Sequence, residues 1–156
     1  MMFHEIKLKL SIGSDHAGYD LKKYLQTNLQ EKYEIIDRGT YDSASVDYPD
    51  YAHKVALDVS SKEVHFGILI CGSGQGVNIC ANKHHQIRAA VCWNEEIAKL
   101  SRQHNDANVL SLPARFISQE EALKIVETFV STNFEGGRHK TRVEKITAIF
   151  QQNNLN

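Results

Sequence analysis

The segment 66–76, FGILICGSGQG, constrains the fold more than any other in this chain. Phe66, Ile68, Leu69 and Ile70 form a short apolar run that ends at Cys71, and Gly72, Gly74 and Gly76 follow within five residues. A run that is apolar on both faces and bounded by glycines reads as a buried strand of a parallel sheet. Glycines let the next loop turn sharply and expose its N–H groups, and the apolar residues after Gly76 predict a helix starting there. The thiol of Cys71 would then stand at the carboxyl end of a strand, beside a nest of donors, where α/β sheets hold and transform their ligands.

The rest of the chain alternates in the same way. Strands are expected over 8–13, 33–37, 66–71, 88–92 and 109–112, and helices over 20–32, 47–60, 76–83, 95–103, 118–132 and 138–151. Leu21, Tyr24, Leu25 and Leu29 recur at helical spacing, as do Ala52, Val55, Ala56 and Val59 behind Pro49. Ser118 and Glu121 form a capping box, and Gly136-Gly137 separates the last helix, which carries Val143, Ile146 and Ile149. This order predicts an α/β fold: a three-layer αβα, Rossmann-like sandwich with a five-stranded, mostly parallel sheet, helices on both faces and a C-terminal helix. A single domain is expected over 1–156, with 1–7 an extension ahead of the first strand and the Gln/Asn-rich 151–156 frayed.

Composition narrows the function. An apolar fraction of 42% over 156 residues builds a core without a disulfide or metal staple. With 18 basic and 19 acidic side chains, the net charge of −1 gives no electrostatic case for nucleic acid or a membrane surface. Any basic cluster must be local and serve a small anion. The three cysteines include no CxxC pair and read as reduced thiols of a cytoplasmic protein, Cys80 and Cys92 being structural. The N-terminus has no signal-peptide core, and no apolar stretch approaches a membrane span. His84-His85 and His139 adjoin Lys83 and Lys140, and no His/Asp/Glu set has zinc-ligand spacing, so neither metal nor cofactor is expected.

Five segments fall at expected strand ends and loops: GSDHAG at 13–18, VDYPDYA at 46–52, CGSGQG at 71–76, SRQHND at 101–106 and EGGRHKTR at 135–142. In this order and spacing they resemble ribose-5-phosphate isomerase type B, of the family shared with the galactose-6-phosphate isomerase subunits. The resemblance covers roughly residues 8–150. It implies metal-free interconversion of ribose 5-phosphate and ribulose 5-phosphate through a cis-enediolate, in a homodimer or dimer of dimers whose sites are shared between subunits. By the same resemblance Cys71 is the base and His104 opens the sugar ring. Asp15, His16, Tyr48 and Asn105 contact substrate with Gly72, Ser73, Gly74, Gln75 and Gly76, while His16, Arg115, Arg138 and Arg142 bind phosphate. Some members carry a glutamate base just after the glycine loop; Val77 stands there, so the chain resembles the cysteine type.

Elementary chemistry agrees with these roles. A base must take a proton from carbon beside a carbonyl and return it to the neighbouring carbon, which suits a thiolate whose pKa is brought near 7. Amides of residues 72–76 and the Ser73 hydroxyl could receive the enediolate's negative charge. An imidazole such as that of His104 suits moving a proton to the ring oxygen near neutral pH, and Asp15 could accept one from the anomeric hydroxyl. Arg138 and Arg142, four apart, share a helix face and can fork onto phosphate. Other readings stay open: a six-carbon substrate such as galactose 6-phosphate or allose 6-phosphate, a non-catalytic sugar-phosphate binding module, Arg138 and Arg142 as a solvated face paired with Glu135 and Glu144, and Asp15 as a helix cap.

Overall fold

The computed structural model describes residues 6–153. Strand β1 (Lys9–Ser14) is followed by a 3-10 turn (His16–Gly18), α1 (Tyr19–Leu29), β2 (Glu34–Asp37), α2 (Tyr48–Ser60), β3 (Phe66–Cys71) and α3 (Gln75–Ala81). Then come β4 (Ala89–Val91), α4 (Glu95–Asn105), β5 (Val109–Pro113), α5 (Gln119–Ser131) and α6 (Arg138–Asn153). The sheet order is β2-β1-β3-β5-β4 and every pairing is parallel, so the expected mostly parallel sheet is wholly so.

Two apolar cores flank the sheet. On one face Leu21, Leu25 and Leu29 of α1 meet Ala122, Ile125, Val126 and Phe129 of α5 over Leu10, Ile12, Ile68 and Leu110. On the other, Ala52, Val55, Ala56 and Val59 of α2 pack with Val77, Cys80 and Ala81 of α3 over Leu69 and Val109. The two stripes anticipated for α1 and α2 are thus the faces packed on the sheet, Tyr24 only partly buried, and each fully buried Leu or Val contributes about 1.5–3 kcal/mol against exposure. Lys22, 1% exposed, is tolerated inside because Asp37 meets its ammonium at 2.6 Å. Burial alone would push the Asp37 carboxyl up, but the hydrogen bonds from Lys22 and the Gly39 N–H outweigh it and hold the pKa below the usual range.

Helix ends account for most departures from the expected boundaries. Asp106 takes a left-handed φ of 47° and caps α4, while the Arg102 guanidinium bonds Asp106 Oδ1 at 2.9 Å and the Thr132 carbonyl at 3.1 Å. The helix therefore continues through His104 and Asn105 rather than stopping at Gln103. Helix α3 stops at Ala81, short of Lys83, and the Asn82 amide brackets the backbone of Ala89 through bonds of 2.8 and 2.9 Å. Ser118 and Glu121 make the anticipated capping box. Helix α6 runs through Asn153, so part of the tail expected to fray is helical. Residues 154–156, and 1–5 of the N-terminal extension, lie outside the described residues.

Candidate active site

Strand β3 delivers Cys71 to the sheet's carboxyl edge, and the exit of β5 holds it there. Ala114 N donates to the Cys71 carbonyl at 2.9 Å and Arg115 N to the Gly72 carbonyl at 3.0 Å. Those two bonds lay Arg115 across the glycine loop. Its guanidinium passes so near Gly72 that a Cβ there would lie 2.9 Å from Nη1. The thiol is 5% exposed, and that edge opens into a cleft of about 450 Å³ walled by Asp15, His16, Tyr48, Ser73 and Arg115, with Phe116 at its rim. The volume is that of a small-molecule site.

The loop is shaped by two of its glycines. Gly74, with φ +73°, occupies the left-handed region that lets the chain double back into α3. Gly76 lies under the Tyr48 ring, whose carbons would come within 2.7–2.9 Å of an added Cβ. The Ser73 hydroxyl accepts from Gln75 N at 3.3 Å. Among the described residues, no backbone carbonyl or side chain accepts from the amides of Ser73 and Gly74, which leaves both as donors. Tyr48, 40% exposed, starts α2 beside Pro49, as its sequence position indicated.

Asp15 serves as a cap and still borders the cleft. Its Oδ1 accepts from Ala17 N at 3.0 Å and Gly18 N at 3.2 Å, which leaves Oδ2 for a ligand. His16 Nδ1 accepts from Val46 N at 3.2 Å. That bond places any proton of the neutral ring on Nε2, a donor suited to a phosphate or hydroxyl oxygen.

His104, Asn105, Arg138 and Arg142 are not in this cleft. Helix α4 returns from the carboxyl end of β4 to the amino end of β5, so its last turn faces the opposite edge of the sheet. Five-residue β5 alone separates the edges by about 17 Å. There the His104 ring stacks on His139 at 4.3 Å and 12°, and His139 Nε2 lies 3.7 Å from Glu135 Oε2. Glu135 N donates to the Gln103 carbonyl at 3.1 Å and ties the start of α6 to the end of α4. Asn105 borders a separate hollow of about 750 Å³ with Arg88 and Ile146.

The charges at this edge pair differently from the solvated-face reading. The pairing of Arg138 and Arg142 with Glu135 and Glu144 does not occur: Glu135 faces His139, and Glu144 lies 4.0 Å from Lys140. Among the described residues no carboxylate pairs with Arg115, Arg138 or Arg142. Burial, then His104 and Arg138, pushes the His139 pKa down.

Two clusters escaped the sequence reading. The ligand atoms of His104, Glu135 and His139 lie within 4.8 Å of one another. His53, Cys80 and His84 also meet, through contacts of 2.8 and 3.4 Å. The position of His139 between the two arginines of EGGRHKTR was the signal for the first; nothing in local spacing announced the second.

The sequence pattern of the Ribose/Galactose Isomerase family matches residues 10–146. The chain is 50% identical over 147 residues to ribose-5-phosphate isomerase B of Escherichia coli K12, an alignment covering 94% of this chain and 99% of that protein. It superimposes on ribose-5-phosphate isomerase B of Clostridium thermocellum with a TM-score of 0.91 at 51% identity, over 93% of this chain and 99% of that one. With the Mycoplasma genitalium ribose-5-phosphate isomerase B solved with bound ribulose 5-phosphate, the TM-score is 0.89 at 42% identity, over 95% and 99% of the two chains. The chain belongs to the ribose/galactose isomerase family, and its fold is the Rossmann-like α/β fold of these isomerases.

Proposed function

We propose that this chain is an intramolecular aldose–ketose isomerase that interconverts D-ribose 5-phosphate and D-ribulose 5-phosphate in the pentose phosphate pathway. The observation that carries the proposal is the Cys71 thiol at the foot of a cleft shared with Asp15, His16 and Arg115. The Cys71 thiolate takes the proton from C2 of the open-chain aldose. The resulting cis-enediolate holds its charge against the Ser73 and Gly74 amides and the Ser73 hydroxyl, a type of contact worth about 2.7–4 kcal/mol of barrier per donor. The thiol then returns the proton to C1 while the hydroxyl proton passes from O2 to O1, and the carbonyl reforms at C2.

The remaining groups come from a second copy of the chain. A homodimer, or a dimer of dimers, sets the His104 edge of one subunit over the Cys71 cleft of the other. His104 moves a proton to the ring oxygen while Asp15 takes one from the anomeric hydroxyl. Asn105, Tyr48 and Gln75 orient the sugar, and Arg115, Arg138, Arg142 and His16 hold the phosphate. The separation of the two edges in one chain, and the arginines that no carboxylate pairs with, support this reading. We place the enzyme in the cytoplasm as one domain; its three cysteines are free, and no helix among the described residues is long and apolar enough to cross a membrane.

The purified chain, assayed with a chelator present, should turn over ribose 5-phosphate with a higher kcat/KM than galactose 6-phosphate or allose 6-phosphate. A preference for either hexose phosphate would reassign the substrate, and binding without turnover would leave only a sugar-phosphate binding module.

A further inference from the structure

His139 lies between Arg138 and Lys140 in the chain, yet its surroundings differ from theirs. Arg138, Lys140 and Arg142 are exposed, whereas His139 is 8% exposed. Gly136 and Gly137, at φ +67° and +55°, turn the chain into α6, and His139 N donates to the Gly136 carbonyl at 3.1 Å. The ring thereby lands on the last turn of α4. In that helix Arg102 is anchored on several sides: its guanidinium lies 4.8 Å from the Phe66 ring and 5.7 Å from the Phe129 ring while it bonds the Thr132 carbonyl. The His104 ring has no such anchor. Among the described residues neither of its nitrogens takes part in a hydrogen bond, and its ring contact is the stack on His139.

We propose that His139 is a positioning residue: its ring fixes the plane of the His104 imidazole and leaves both nitrogens of that imidazole free to meet a sugar. The proposal rests on the reading of His104 as the group that opens the sugar ring. A parallel stack at 4.3 Å restrains the tilt of the ring without occupying a nitrogen, so a proton can still enter and leave its edge. Four charged or titratable groups act on His139: His104 of α4, Glu135 ahead of α6, and Arg138 and Arg142 of α6. Burial, then His104 and Arg138, holds its pKa below the usual histidine range and outweighs Glu135, which pulls the other way. The face against His104 is therefore neutral near pH 7, and a protonated His104 meets no second charge in the stack.

A phosphate contact does not fit the same ring. His139 Nε2 lies 3.7 Å from Glu135 Oε2, and a carboxylate there repels a phosphate oxygen. Arg138 and Arg142 are the exposed cations of this turn, while His139 is turned inward.

Two assays on the purified full chain separate ring opening from proton transfer. Ribose 5-phosphate is a furanose, whereas ribulose 5-phosphate, with its O5 esterified, cannot close that ring. Exchange of the C1 proton of ribulose 5-phosphate with D₂O therefore reads Cys71 without a ring step. His139→Ala should lower kcat on ribose 5-phosphate about three- to tenfold, the weight of one aromatic pair, with KM and the exchange rate within about twofold of wild type. His139→Phe, which keeps a flat face but can neither titrate nor bind an anion, should recover most of that loss. His104→Asn, run beside them, should show the same split more strongly. Equal losses in both assays for His104→Asn would overturn the ring-opening reading and the proposal built on it. The split in His104→Asn without a split in His139→Ala would overturn the positioning role alone. So would a rise in KM shared by His139→Ala and His139→Phe, which would mark a phosphate ligand.

Discussion

The two edges of the sheet are built in different ways. At the carboxyl edge, Asp15, Cys71 and Arg115 emerge from neighbouring strands β1, β3 and β5, and backbone bonds between the strands set their spacing. The result is a walled cleft. At the amino edge, His104, His139, Arg138 and Arg142 ride on the end of one helix and the start of another, joined by one backbone bond and a ring stack. They surround no cleft with a thiol in it. The comparison teaches why, on the proposed function, neither edge suffices alone: one holds a thiol in a cleft and the other holds the imidazole and the arginines.

The largest test removes the thiol. Cys71→Ala should lower kcat by about 10²–10⁴-fold, the range for loss of a proton-transferring group, with KM within a few-fold. Stopped assays on ribose 5-phosphate would measure this, and near-normal turnover would dismiss the thiol of the carboxyl edge as the base. Next in size is the test of the phosphate grip proposed for the amino edge. Arg142→Ala should raise KM about ten- to a hundredfold, as expected for a charged hydrogen bond worth about 1.5–3 kcal/mol, with kcat less affected. An unchanged KM would remove α6 from the site.

The carboxyl-edge cleft was largely legible in the sequence because its parts are local. Glycines at 72, 74 and 76 announce a loop, the apolar run before them announces a strand, and the thiol at their junction follows. The amino-edge cluster was legible only as motifs. That Cys71 and His104 leave opposite ends of the sheet depends on the direction of α4, which follows from β4 and β5 being parallel neighbours. Spacing could not reveal that Glu135 faces His139 rather than Arg138, since three cations compete on one helical turn. The contact of His53 with Cys80 and His84 spans 27 to 31 residues and exists only because α2 packs on α3.

A smaller effect tests the ring stack. The His139 pKa is lowered, so the folded state favours the neutral ring. Both states are neutral above about 6.5, and there the full stability is present. As pH falls below that value the unfolded chain takes up the proton first, and stability is lost toward the folded pKa. Denaturant midpoints should therefore drop as pH falls below about 6.5, and His139→Asn should reduce the slope. His84, lowered in the same direction, supplies part of the remainder. An unchanged slope in His139→Asn would mean that the stack carries no strain from charge.

Mixing the two halves asks the central question. Cys71→Ala and His104→Asn chains, each nearly inactive alone, should be co-expressed in equal amounts and assayed for isomerisation. If the thiol of one subunit works with the imidazole of its partner, half the dimers are mixed and each has one intact site, so activity should return to about a quarter of wild type. Activity no greater than the sum of the two separate mutants would contradict a shared site and return His104 to the same chain's chemistry or to none.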